Sequence, residues 1–166
     1  MIRKLFCLYI ILISIFTILL ISVFTISTSA IKNNIVESAK QIQKEGLWFQ
    51  PLGFYLFQID NMTDCLMMNI NASTDSDDPI RSSMIVNFYQ PYENGDIRTS
   101  RKLDETTLDI AENGANKSTI FSNYARYWHG YQVILRPLLN FFNYNQIRVI
   151  NYIALFVLFT ITIILL

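Results

Sequence analysis

Apolar residues fill both ends of the chain, and a mixed polar segment separates them. No residue is charged from Leu5 to Ile31, and none from Val149 to Leu166. A hydrocarbon core is crossed by about 20 apolar residues rising about 1.5 Å each, and both stretches are near or above that length. The pattern predicts a membrane protein, mainly α, with two transmembrane helices flanking a mostly helical extracytoplasmic domain. The expected boundaries are a cytoplasmic amino terminus over 1–4, a first span over 5–30, the domain over 31–147 and a second span over 148–166.

Inside the domain the apolar period changes several times. Ile31, Ile35, Ala39 and Ile42 recur at helical spacing with Lys32, Glu37, Lys40 and Lys44 on other faces, and Gly46 stands where a left-handed cap would end the helix. Such an amphipathic helix lies either on the domain or on lipid headgroups. The aromatic run Leu47 to Phe57 is too short and broken to cross a membrane, so its rings sit at an interface or fill a core. Asp60 or Asn61 can cap a helix running through Cys65 to Ile70, with Asp64 near the positive end of its dipole. Asn71 to Pro79 reads as a polar loop, and Met84 to Tyr89 as strand or helix. Asn94-Gly95 is a turn signal. Leu103 to Glu112 predicts a second short helix stopped by Asn113-Gly114, and Pro137 is expected to break or kink any helix over Gln132 to Leu139. Phe141-Phe142-Asn143-Tyr144 forms a second aromatic belt ahead of the closing span.

The start of the chain separates an anchor from a cleaved leader. Arg3 and Lys4 precede an apolar run longer than the roughly 7–15 residues of a signal-peptide core. Thr28-Ser29-Ala30 offers small residues to a peptidase, yet the length of the run favours an uncleaved signal anchor. The two basic residues hold the amino terminus in the cytoplasm and so send the domain outside. Lys32, Lys40 and Lys44 oppose this orientation, but long loops translocate largely regardless of charge.

Charge adds a second layer. The 13 basic and 13 acidic residues balance, which gives no attraction to nucleic acid. Every carboxylate lies between Glu37 and Glu112, and beyond it the chain carries only Lys117, Arg126, Arg136 and Arg148 with the single His129. That basic return reads as a collar facing lipid phosphates. Cys7 lies in the first apolar run and Cys65 in the domain, too differently placed for a bridge.

Candidate chemistry is sparse. Asp60 and Asp64, four residues apart, would share a helical face as a base or cation pair, or else cap the helix and complement its dipole. Asp75, Asp77 and Asp78 lack the glycine and glutamate that complete a calcium loop. His129 among aromatics is either a packed residue or a proton-transfer group, and Arg126, Trp128 and Arg136 around it would contact an anion or reach toward headgroups. One histidine builds no zinc pair, so no metal site is expected and no cofactor can be named. Asn61-Met62-Thr63, Asn71-Ala72-Ser73 and Asn116-Lys117-Ser118 satisfy the N-glycosylation sequon.

The run Gly53-Phe54-Tyr55 through Asp60-Asn61-Met62-Thr63-Asp64, with Tyr127-Trp128-His129-Gly130-Tyr131 and Leu135-Arg136-Pro137-Leu138-Leu139 further on, resembles the amino-terminal part of uncharacterised multispanning membrane proteins of low-GC Gram-positive bacteria. The layout is also similar to that of GT-C glycosyltransferases, which carry a large extracytoplasmic loop after the first span. This resemblance implies transfer of sugar from a polyprenyl-phosphate donor. Asp60 or Asp64 would then be the base or a metal ligand, His129 an aid to proton transfer, and Arg126, Trp128 and Arg136 the substrate contacts. Those transferases have many spans, whereas this sequence stops at Leu166 inside or at the edge of its second, so it reads as a piece of a longer protein. Two functions are expected. One is the amino-terminal unit of a multipass envelope protein acting on a lipid-linked substrate. The other is a non-enzymatic two-span sensor, binding or assembly subunit working with the bilayer and another membrane protein.

Overall fold

The computed structural model describes residues 2–51, 53, 58–74, 76–85, 87–93, 96–97, 103–114, 119–123 and 129–166. Helix dominates. Two long apolar helices, α1 (Ile2–Phe24) and α7 (Tyr144–Leu165), lie at the two ends of the chain. At about 1.5 Å per residue they are about 34 and about 33 Å long, enough to cross a membrane, and nearly all their side chains are exposed. Val23 and Phe24 are buried in α1, and Ile147 in α7. Hydroxyls in these helices turn inward: Ser22 donates to Ile18 O at 2.7 Å, Thr160 to Phe156 O at 2.8 Å and Thr162 to Leu158 O at 2.8 Å. Each backbone carbonyl one turn earlier thus satisfies a group that hydrocarbon could not.

The predicted amphipathic helix is α2 (Thr28–Glu45), and it belongs to the core. Ile31, Ile35, Ala39 and Ile42 are all buried, and Gly46 at φ +81° donates its N–H to Ile42 O at 2.8 Å to close the last turn. Ser27 caps the start and separates α2 from α1. Next, β1 (Trp48–Phe49) pairs antiparallel with β2 (Ile59–Asp60). Helix α3 (Asn61–Ala72) follows, then α4 (Pro79–Met84), capped by Asp78 with proline in its first turn. Strand β3 (Asn87–Glu93) pairs with β4 (Asp96–Ile97) through Tyr92↔Ile97 and Glu93↔Asp96, and with β5 (Thr119–Asn123) from Asn87↔Asn123 to Pro91↔Thr119. The Asn94-Gly95 turn signal itself lies outside the described residues. Helix α5 (Leu103–Asn113) precedes β5 and ends at Gly114, φ +79°, as the sequence predicts. The short α6 (Gln132–Leu139) leads to α7.

Pro137 neither ends nor precedes the end of α6 as a break; the helix carries it and stops at Leu139. A proline near the carboxyl end of a short helix forfeits a single backbone bond, and the apolar face holds the turn closed. Leu135 and Leu139 on that face join Ile31, Ile35, Met68, Ala111 and Ile147 in the largest core cluster. Ile42, Cys65 and Leu103 form a second one, with Leu47, Met62 and Tyr144 against it. The second aromatic belt divides accordingly: Phe142 and Tyr144 pack on the core, while Phe141 is exposed.

Buried polar side chains fix the elements relative to one another. Asn69 of α3 accepts from Tyr89 N at 2.9 Å and donates to Tyr89 O at 3.0 Å, pairing with β3 as a neighbouring strand would. From α2, Asn34 donates to Leu139 O at 2.8 Å and Ser38 Oγ accepts from Tyr144 N at 2.8 Å. Asn143 caps α7 in a reciprocal box with Gln146 and reaches Glu37 at 3.1 Å. The corner from α6 into α7 is therefore held on α2 by three side chains.

Candidate functional site at the head of the closing helix

Arg148 is the last charge before an uncharged helix, one turn after Tyr144. A guanidinium there needs acceptors within reach, and the end of α2 and the start of α3 supply them. Arg148 donates to Glu45 Oε2 at 2.9 Å and to Asp64 Oδ2 at 3.0 Å, with side chains only 11%, 11% and 15% exposed. It also donates to the Asn61 side-chain oxygen. Asn61 in turn donates to Glu45 Oε2 at 3.0 Å and Gly46 O at 2.8 Å, and Gln41 donates to Glu45 Oε1 at 2.8 Å. The Tyr144 hydroxyl donates to Asp64 Oδ1, and its ring lies under the guanidinium at 4.8 Å. Burial alone would raise the Glu45 carboxyl, but hydrogen bonds from Gln41, Arg148 and Asn61 outweigh it and hold the group below its usual 4.5. Two carboxylates face one guanidinium, so the cluster carries one residual negative charge.

Beside Asp64 a groove of about 320 Å³ runs between α3, α6 and α7. Met67, Leu135, Leu138 and Ile147 are among its apolar lining, Tyr131 and Tyr144 add rings, and Asn151 of α7 stands at its far end. This is the described surface where polar chemistry and a long apolar wall meet.

Arg136 occupies a different place. It is fully buried. One terminal nitrogen donates to Ile26 O at 2.7 Å and Thr28 Oγ1 at 3.1 Å, the other to Asn71 O at 3.4 Å and Asn71 Oδ1 at 3.3 Å. The Phe24 ring lies 5.6 Å away. Ile26 follows the end of α1 and Asn71 lies in the last turn of α3, so two negative dipole ends surround the cation in place of a carboxylate. Burial pulls the guanidinium down to about 10, which leaves it charged at neutral pH. One turn earlier Gln132 is fully buried, and neither amide atom has a hydrogen-bond partner among the described residues.

Of the remaining expected site residues, Asp60, Asp64 and His129 are among those described. Asp60 is exposed and caps α3, accepting from Thr63 N at 3.0 Å and Thr63 Oγ1 at 2.6 Å. Asp64 instead meets Tyr144 and Arg148. His129 is half-buried, its ring meeting Tyr131 edge-on at 6.3 Å between centroids. Arg126 and Trp128 lie outside the described residues. The arginines expected to face lipid phosphates, Arg136 and Arg148, are turned inward, because each supplies donors that helix ends and carboxylates would otherwise lack. Asn61 and Asn71, two of the sequon asparagines, are fully buried with engaged side chains and present no acceptor; the third triplet is outside the described residues. Burial also pushes the Cys65 thiol up to about 12, against a hydrogen bond with Thr107 that lowers it. Among the described residues no three His, Cys, Asp or Glu side chains converge as a metal site requires.

No sequence motif joins Glu45, Asn61, Tyr144 and Arg148. The signal that marks them is the position of Arg148 as the only charge at the mouth of an apolar run, which obliges nearby carboxylates to meet it. The chain matches no protein-family model, no curated protein and no solved structure.

Proposed function

We propose that the chain is a two-span membrane protein whose central domain lies on the extracytoplasmic side and serves as a binding or assembly unit rather than as a catalyst. The observation that carries this reading is the Arg148 network. It fastens α7 to α2 and α3 with its carboxylates already engaged, while Arg136 fastens the end of α1 to the same domain. A general base is aimed at its substrate; Asp60 is turned to the cap of α3, and Asp64 is shared between Tyr144 and Arg148. Exposed apolar side chains outside the long helices, Trp48, Ile80, Met84, Ile134 and Phe141, support a domain resting on the bilayer. Cleavage after Ala30 would strip Arg136 of Ile26 O and Thr28 Oγ1, which favours an uncleaved anchor.

The apolar walls of the groove beside Asp64 leave a second reading, in which they would take the prenyl chain of a polyprenyl-phosphate-linked substrate and the chain is an amino-terminal unit of a multipass protein acting by glycosyl transfer. One experiment separates them. Asparagine caps a helix as well as aspartate does, so Asp60→Asn leaves the fold intact; Asp64→Asn is made beside it. Membranes carrying each form are assayed for sugar transfer from a polyprenyl-phosphate donor, and solubilised complexes are sized by native electrophoresis. The assembly reading expects no chain-dependent transfer and a discrete complex that persists in Asp60→Asn. Transfer that depends on the chain and disappears in either variant would contradict it.

A further inference from the structure

We propose that the groove between α3, α6 and α7 seats one acyl chain of a membrane lipid whose ammonium head group is held against Asp64. The inference rests on the membrane reading above. A groove of about 320 Å³ with Met67, Ile134, Leu135, Leu138 and Ile147 in its walls suits a hydrocarbon chain, since burying apolar surface on both sides is favourable. It runs along the first turns of α7, where the polar domain gives way to the uncharged helix, which is the depth at which a lipid's head joins its chains.

The head-group chemistry follows from charge. Glu45 and Asp64 share the single Arg148 cation, leaving one negative charge at the rim, and Asp64 itself lines the groove. An ionised carboxylate offers about four lone-pair directions, and Tyr144 and Arg148 occupy two of them. A primary ammonium can take a remaining one. Tyr131 and Tyr144 line the same space, and aromatic faces attract ammonium groups. An anionic head group would meet the residual negative charge with its nearest cation already engaged. The ligand class is thus a zwitterionic lipid with a primary ammonium, and not an acidic one.

The test uses the full chain reconstituted into vesicles of equimolar phosphatidylethanolamine and phosphatidylglycerol. Flotation records membrane insertion, and native mass spectrometry after mild extraction records which lipid stays bound. The expected result is several-fold enrichment of phosphatidylethanolamine in the bound fraction. Asp64→Asn should remove the enrichment. Ile134→Trp, at an exposed position that lines the groove, should lower retention of either lipid with helix content unchanged. A chain that floats but retains both lipids equally, or prefers phosphatidylglycerol, overturns the proposal alone. So does an Ile134→Trp protein that retains lipid as the parent does. A chain that fails to float overturns the membrane reading and this proposal with it.

Discussion

A guanidinium one turn into an apolar helix is costly unless acceptors surround it, and removing one partner of a buried ion pair costs about 3–5 kcal/mol. Arg148 meets this condition through Glu45, Asp64 and Asn61, brought from two other helices. None of that is legible from spacing, because the partners are separated from Arg148 by most of the domain. Local chemistry was legible: Asp60 caps α3 and Gly46 closes α2, since both depend only on neighbours in sequence. Cys65 belongs between these cases. The capped apolar run that it opens marks a helix, but only the fold places it against Thr107 with its thiol pushed to about 12. A thiolate is the nucleophile in alkylation, so Cys65 should resist a maleimide at neutral pH in the native protein and react fully once denatured. A Cys7→Ser background isolates the signal. Rapid labelling of the native Cys65 would show that the α3–α5 contact is open.

Helices were easier to read than strands. The period of α2 and the uncharged length of α7 show directly in the sequence, whereas β3 contains Pro91, which argues against a strand inside a sheet. Pro91 lies opposite Thr119 of β5, and among the described residues β4 pairs with Tyr92 and Glu93. At this scale the joint between α2, α3 and α7 is also pH-sensitive. Glu45 has a folded pKa below its usual 4.5, so its contribution to stability is complete above that value and is lost as pH falls through the lower, folded one. Protection of the amides at the start of α7, taken relative to the intrinsic exchange rate at each pH, should therefore fall in acid below about pH 4.5, and Glu45→Gln should flatten that dependence while lowering protection at neutral pH. Protection in the parent that is constant from neutral to acid would contradict a role for Glu45 in holding α7.

For the whole molecule, chain order turns two local properties into a topology. If α1 and α7 both cross a bilayer, the residues between them lie on one side and both termini on the other. The uncharged ends made the two long apolar helices legible from the start, as they did the mostly helical character of the chain. What the domain presents was not legible, because it depends on which polar groups are consumed in holding helices together and which remain at a surface. Arg3 and Lys4 set the predicted direction, with the domain outside. The most direct test places a single cysteine at Glu105→Cys, an exposed position on α5, and another at Ile2→Cys, in a chain with Cys7→Ser and Cys65→Ser. Intact cells are treated with a membrane-impermeant maleimide before and after permeabilisation. The account predicts labelling at position 105 in intact cells and at position 2 only after permeabilisation. Labelling of position 105 only after permeabilisation would contradict an extracytoplasmic domain, and equal labelling of both positions in intact cells would contradict the two spans.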